Sequence, residues 1–200
     1  MITPQNAHWL PAVMMVACLA GCGGLGKVNQ GQVIQFDRSK GLITLISDSN
    51  PRDPANPRFD VLPPVVVQVP ARPEEMGPPP EAGKLINLDA AGRKMIVFDT
   101  AAQTLRTLAY EAVSQREEVA RDDPRVAGKR FPIIDRNNQT ITLYSQKRRL
   151  LLTFKPPVEY LSLPEDTWRA GDVVRYYYKD PGKTLRVMNV SKTDLQKTGE

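Results

Sequence analysis

An all-β chain of antiparallel hairpins is predicted, arranged as two related units joined through a Pro-rich segment. Three observations predict it: a strand, polar turn, strand pattern recurs along the chain; Asp leads most of the turns; and ten of the thirty residues from 51 to 80 are proline. Proline fixes φ and removes a ladder donor, so that stretch is expected as extended spacer instead of helix. With 41 % hydrophobic residues among 200, the remainder has enough apolar side chain to bury a core.

The first element stands outside that fold. Trp9 to Ala20 form an uncharged run of twelve residues, WLPAVMMVACLA, followed by Gly21-Cys22-Gly23-Gly24. At about 1.5 Å per residue the run reaches roughly 18 Å, short of a hydrocarbon core of about 30 Å, so it reads as an export signal and not as a span. Leu19-Ala20-Gly21-Cys22 resembles the lipobox of bacterial lipoproteins, although no Lys or Arg precedes the apolar run. The resemblance implies diacylglycerol on the Cys22 thiol, cleavage in front of Cys22, and a further acyl chain such as palmitate on the new amine. Two or three chains hold a protein on a bilayer where a single one binds only marginally. In that family an aspartate after the cysteine commonly marks inner-membrane retention; Gly23 therefore points to the outer membrane, on its periplasmic side. Residues 1–21 are expected as signal peptide and 22–27 as a lipidated, Gly-rich tether.

Cys18 and Cys22 are the only cysteines and His8 is the only histidine. Behind a cut before Cys22 no free thiol and no imidazole remain. Disulfides, Cys/His metal sites, thiol nucleophiles and triads with a histidine base are thereby excluded, and no cofactor is expected.

The first hairpin runs from Val33-Ile34-Gln35-Phe36 through Asp37-Arg38-Ser39-Lys40-Gly41 to Leu42-Ile43-Thr44-Leu45-Ile46. The same grammar recurs from Ile133-Ile134 through Asp135-Arg136-Asn137-Asn138-Gln139 to Thr140-Ile141-Thr142-Leu143-Tyr144. Branched and aromatic side chains fit a pleated surface, whereas Asp, Asn and Gly reverse the chain. Further turns are expected at Leu88 to Arg93 and at Lys179-Asp180-Pro181-Gly182-Lys183. Val65-Val66-Val67-Gln68-Val69 reads as one strand within the Pro-rich segment. From Thr100 to Asp123 the pattern is ambiguous: a strand through about Tyr110 is expected, then irregular or briefly helical chain up to Pro124.

Ala82 to Leu88 matches Ala170 to Tyr176, each after a Pro-containing extended segment, as if two units ended alike. The expected division is a first β unit over 28–113, a connector over 114–128, a second β unit over 129–192 and a polar tail over 193–200. Each unit has the size of a small barrel of the OB or SH3 sort. Gly171-Asp172-Val173-Val174 with its closing hairpin resembles the ending of periplasmic small-barrel modules, among them copper- and silver-binding ones. The likeness reaches architecture only, because Met76, Met95 and Met188 lie scattered and no mature histidine accompanies them.

The formal charge is +5. Behind an export signal the anions within reach are lipid headgroups, lipopolysaccharide phosphates and acidic wall polymers, so nucleic acid is set aside. Lys147-Arg148-Arg149, with Lys129-Arg130 and Arg136 nearby, is the densest basic region and the candidate contact for an anionic ligand; charge protecting an edge strand is the alternative. Glu74-Glu75, Glu117-Glu118, Asp122-Asp123 and Glu165-Asp166 are adjacent acids, not the facing pair about 5 to 9.5 Å apart that glycoside hydrolysis needs. Tyr176-Tyr177-Tyr178 puts a ring on each face of a strand, and with Trp168 reads as packing or as a platform for sugar rings. The functional expectation is a membrane-anchored periplasmic lipoprotein that acts as a non-catalytic structural or interaction module, with an envelope protein or an anionic polymer as partner. A carbohydrate-active enzyme using carboxylates alone is the alternative.

Overall fold

The computed structural model describes residues 25–53 and 56–193. The expected signal peptide, Cys22 and the polar tail beyond Thr193 lie outside the described residues. Strands β1 (Lys27–Asp37), β2 (Leu42–Asp48) and β3 (Phe59–Gln68) come first. Then follow β4 (Leu85–Asp89), β5 (Lys94–Asp99), β6 (Thr104–Ala109) and β7 (Glu111–Arg116). After them come β8 (Ile133–Asp135), β9 (Thr140–Ser145), β10 (Leu150–Lys155), β11 (Val173–Tyr178) and β12 (Thr184–Asn189). Short 3-10 turns occur at Pro73–Glu75, Val158–Tyr160 and Glu165–Trp168. The fold is all-β, with three antiparallel sheets: sheet I in the order β12-β11-β1-β2-β3, sheet II in the order β7-β10-β9-β8, and sheet III in the order β4-β5-β6.

The hairpin turns share one construction. In three of them a side-chain oxygen at the first position accepts backbone N–H groups two and three residues on: Asp37 from Ser39 at 3.0 Å and Lys40 at 3.1 Å, Asp99 from Ala101 at 2.9 Å and Ala102 at 3.0 Å, and Asp135 from Asn137 at 3.0 Å and Asn138 at 3.1 Å; Asp89 and Ser145 accept only from the third residue on, Gly92 at 2.8 Å and Arg148 at 3.4 Å. The hydroxyl of Ser39, the N–H of Ala102 and the N–H of Asn138 are the main reasons that Asp37, Asp99 and Asp135 ionise below the ordinary aspartate range. The fifth residue of each turn takes positive φ: Gly41 at 63°, Gln103 at 52° and Gln139 at 54°, with Arg93 at 50° and Arg149 at 51° in the other two tight hairpins. A Cβ costs about 1–2 kcal/mol in that region, more than the roughly 0.5–1 kcal/mol of chain entropy that glycine adds. Gln139→Gly is therefore expected to stabilise the protein by about 0.5–1 kcal/mol, read as a higher denaturant midpoint at unchanged slope. An unchanged or lower midpoint contradicts it.

Sheet I is covered on both faces, which is why Gln30 to Ile34 of β1 are buried one after another. On one face Val33, Ile43, Leu45, Val67, Val174, Tyr176 and Val187 form a core; on the other Ile34 and Ile46 pack with Phe98 of β5. Sheets II and III enclose a second core, in which Met95, Val97 and Leu108 meet Ile141, Leu152 and Phe154. The two edge strands of sheet I approach each other: the Gln68 N–H donates to the Gly182 carbonyl at 2.8 Å, and the Thr184 hydroxyl donates to the Gln68 carbonyl at 2.6 Å.

This topology replaces the expected division into 28–113, 114–128 and 129–192. β11 and β12, expected in the second unit, join sheet I, β11 pairing with β1 and β12 with β11, while β4 to β10 form sheets II and III between β3 and β11. The repeated grammar on which the division rested is local turn chemistry, and it does not say which strands become neighbours. The likeness of Ala82–Leu88 to Ala170–Tyr176 has another cause: these are the two crossings into and out of the inserted part, and Lys84 bridges to Ala170. Gly83 and Gly171 permit their close approach, since a Cβ on Gly83 would lie 2.2 Å from the Arg169 carbonyl oxygen and one on Gly171 2.9 Å from the Gly83 nitrogen. The strand expected over 65–69 within the Pro-rich segment is present but begins earlier and ends at Gln68, so the segment is less of a spacer than expected. Pro63 and Pro64 lie inside the ten-residue strand β3, tolerated at the edge of sheet I, and Gly77 donates to Val187 at 2.8 Å. Residues 111–116, read as the start of irregular or helical chain, form β7 on β10.

A cationic cleft as candidate functional site

A cleft of about 390 Å³ opens where the crossings between sheets I and III meet the β9–β10 turn. Its walls are apolar: Leu85 and Leu88 of β4, Leu143 of β9, Phe131, and Trp168 from the 3-10 turn Glu165–Trp168. Trp168 is wholly buried and packs edge-on to Phe154 at 5.9 Å between ring centroids. Lys84 and Leu85 hold this turn to β4 by donating to the carbonyls of Asp166 at 2.8 Å and Arg169 at 3.0 Å. The indole Nε1 of Trp168 has no acceptor among the described residues. A buried N–H without a partner costs about 1–3 kcal/mol.

Among the described residues three cations border the cleft, Lys147, Arg148 and Arg169, and no Asp or Glu lines it. Arg148 is fixed across the gap between sheets II and III by donating to the Leu88 carbonyl and, at 3.5 Å, to the Asn87 side-chain oxygen. Arg169 pairs with Glu165 at 2.5 Å. Lys147 is exposed and has no carboxylate within 4.0 Å among the described residues. A neighbouring hollow of about 720 Å³ shares Ile86, Asn87, Lys147 and Arg148 with the cleft and adds Arg58 and Asp60.

Of the three basic residues that stand out in the sequence, Lys147 and Arg148 therefore reach the cleft and Arg149 does not. Arg149 turns to the other side and donates to the Glu118 carbonyl at 3.0 Å. All three sit in the turn between β9 and β10, which are inner strands of sheet II, so neither the strand-borne patch nor edge-strand protection is realised. Arg136 lies in the turn at the opposite end of β9 and does not join them. Asn87 and Arg169 were not singled out by sequence reasoning; the spacing of Glu165 and Arg169, one helical turn apart, is the only local signal for the latter.

The adjacent acids are dispersed. Glu75 pairs with Arg72 at 3.2 Å and Arg186 at 3.6 Å, and Asp166 pairs with Lys84 at 3.0 Å. The Arg125 side chain, bonded to Asp123, holds that carboxyl down to about 2. Glu117 and Glu118 stand in solvent at the end of β7. Among the described residues no group of three His, Cys, Asp or Glu is placed to hold a metal ion. Tyr176 points into the core, where burial raises its phenol pKa, and its ring lies 5.5 Å from that of Tyr178. Tyr177 faces the other way, against Gly26.

The family described as a domain of unknown function, DUF4881, matches residues 24–198. No curated protein and no solved structure matches the chain.

Proposed function

The chain belongs to the DUF4881 family, and we propose that it acts as a lipid-anchored binding module of the cell envelope, without catalysis of its own. Cys22 carries the lipid, and the protein stands on the periplasmic side of a bacterial membrane, the outer one by the argument from Gly23. The family match begins at residue 24, so the leader and Cys22 fall outside the shared domain. The ligand is an acidic segment of an envelope protein that carries a bulky apolar side chain.

One observation carries this reading: an apolar cleft bordered by Lys147, Arg148 and Arg169, with no carboxylate among the described residues that line it. Cations around an apolar hollow favour an anion that brings apolar surface with it, since the charge is met at the rim and the side chain leaves water. The apolar walls favour such a peptide over a uniformly hydrophilic wall polymer. An acceptor on the ligand would also satisfy the Trp168 indole. The alternative of a carboxylate-only glycosidase has less support, because the adjacent acids pair with neighbouring cations or stand in solvent.

The chain offers its own reporter. Trp9 and Trp168 are the only tryptophans, so after cleavage before Cys22 the emission comes from the cleft alone. Titration of the mature protein with peptides pairing Asp or Glu with a large apolar residue is expected to change Trp168 emission saturably. Lys147→Glu combined with Arg148→Glu should weaken binding at least about 10-fold, as charge reversal at a rim does. Equal responses from the double variant, or saturable binding of a purely hydrophilic polyanion and not of the peptides, would overturn the proposed ligand class.

A further inference from the structure

The residues nearest Cys22 form a surface of a different character. β1 begins at Lys27, with Lys27 paired to Tyr178 and Val28 to Tyr177, at the turn end of the β11–β12 hairpin. Lys27 follows Cys22 by five residues, a length that spans at most about 17 Å when extended. Gly26 is pressed on the Tyr177 ring, where a Cβ would come within 2.2 Å, so the direction in which the chain leaves β1 is set.

Exposed apolar side chains gather at this end. Leu25 is 97 % exposed and Val28 62 %, and Leu185 and Val66 stand out beside them on β12 and β3. Val66 belongs here because its carbonyl lies beside Gly182 of the hairpin turn. Lys27, Lys179 and Lys183 are exposed among these residues, and none has a carboxylate within 4.0 Å among the described residues. Asp180 is the one acid of the turn itself, and Glu75 nearby is held by Arg72 and Arg186.

We propose that this end of sheet I is a membrane-docking face for an anionic bilayer, a reading that rests on the lipid anchor at Cys22. The lysines meet lipid phosphates, each strengthening attachment about fivefold, while Leu25 and Val28 enter the interfacial layer. The short tether says why the occupant is a bilayer: lipid on Cys22 brings this surface, and no other described end of β1, to the headgroups. The consequence concerns the cleft. Gly171, Val173 and Ser191 line it at the far end of the same hairpin, about 17 Å along β11 from Tyr178 at the rise of a strand. The cleft therefore faces away from the bilayer, and its ligand comes from the periplasm and not from membrane lipid.

Cys22 is the only cysteine left after cleavage and its sulfur is occupied by lipid, so a single new cysteine can be labelled alone. Lipidated protein carrying Lys183→Cys or Lys147→Cys, each with a fluorophore, is reconstituted into phosphatidylethanolamine and phosphatidylglycerol vesicles that contain a headgroup quencher. Quenching is expected to be several-fold stronger at position 183 than at 147, and the difference to shrink when Lys27→Gln and Lys179→Gln are added. Equal quenching at the two positions, or stronger quenching at 147, in protein that floats with the vesicles overturns the docking face and leaves the anchor standing. Protein that does not float, with residue 22 unmodified, overturns the anchor and the docking face together.

Discussion

Cys22→Ser, exported behind a leader that is cut without lipid, is expected to wash off the membrane in salt, whereas the native protein stays. Each buried acyl methylene contributes about 0.8 kcal/mol, so two long chains outweigh three lysines at about 1 kcal/mol each by roughly an order of magnitude. The lysine term is also screened: the Debye length falls from about 10 Å at 0.1 M salt to about 3 Å at 1 M. Fractionation in low and high salt separates the contributions. Native protein that is released by salt would show that charge alone holds it.

The second large effect is on stability. Trp168→Ala is expected to cost about 3–5 kcal/mol, because it empties a wholly buried site between sheets II and III. The ring anchors an aromatic series, with Phe154 at 5.9 Å from Trp168 and Tyr110 at 5.0 Å from Phe154. Against a total of roughly 5–15 kcal/mol such a loss removes a large part of the stability and shows as a lower urea midpoint. Trp168→Phe should cost much less, since it keeps an aromatic ring on Phe154 and removes an indole N–H that has no acceptor among the described residues. Urea titration of the two variants decides it: if both lose the same stability, the N–H is not an unpaid desolvation and the account of this wall is wrong.

Hairpins were the legible part of this fold, for a definite reason. An Asp that accepts the N–H groups two and three residues on is a local device, written in five consecutive residues, so Asp37-to-Gly41 and Asp135-to-Gln139 could be read without knowing any partner. The β9–β10 turn is less legible because Ser145 takes the place of Asp and accepts only the Arg148 N–H, at 3.4 Å, and because three consecutive cations carry no turn signal of their own. Strand neighbours were not legible. Gln32 and Val173 pair across 140 intervening residues, and nothing in either segment names the other.

The candidate site divides along the same line. Lys147 and Arg148 stood out because they are contiguous, but their role depends on Asn87, Leu88 and Trp168, which converge only through the packing of sheets II and III. Arg149, equal to them in sequence, is removed from the cleft by its position as the last residue of the turn, at φ 51°. Tyr176 and Tyr177 show that alternation along a strand is predictive when both faces are considered: one ring enters the core and the next meets the tether.

The proposed function rests on lipid at Cys22, which would set the compartment, the orientation and hence the kind of ligand that reaches the cleft. The mass of the N-terminal peptide of protein extracted from native membranes tests it most directly. The account predicts a peptide that begins at residue 22 and carries the added mass of diacylglycerol, with or without one further acyl chain. A peptide that contains Leu19-Ala20-Gly21 upstream of an unmodified Cys22 would contradict it.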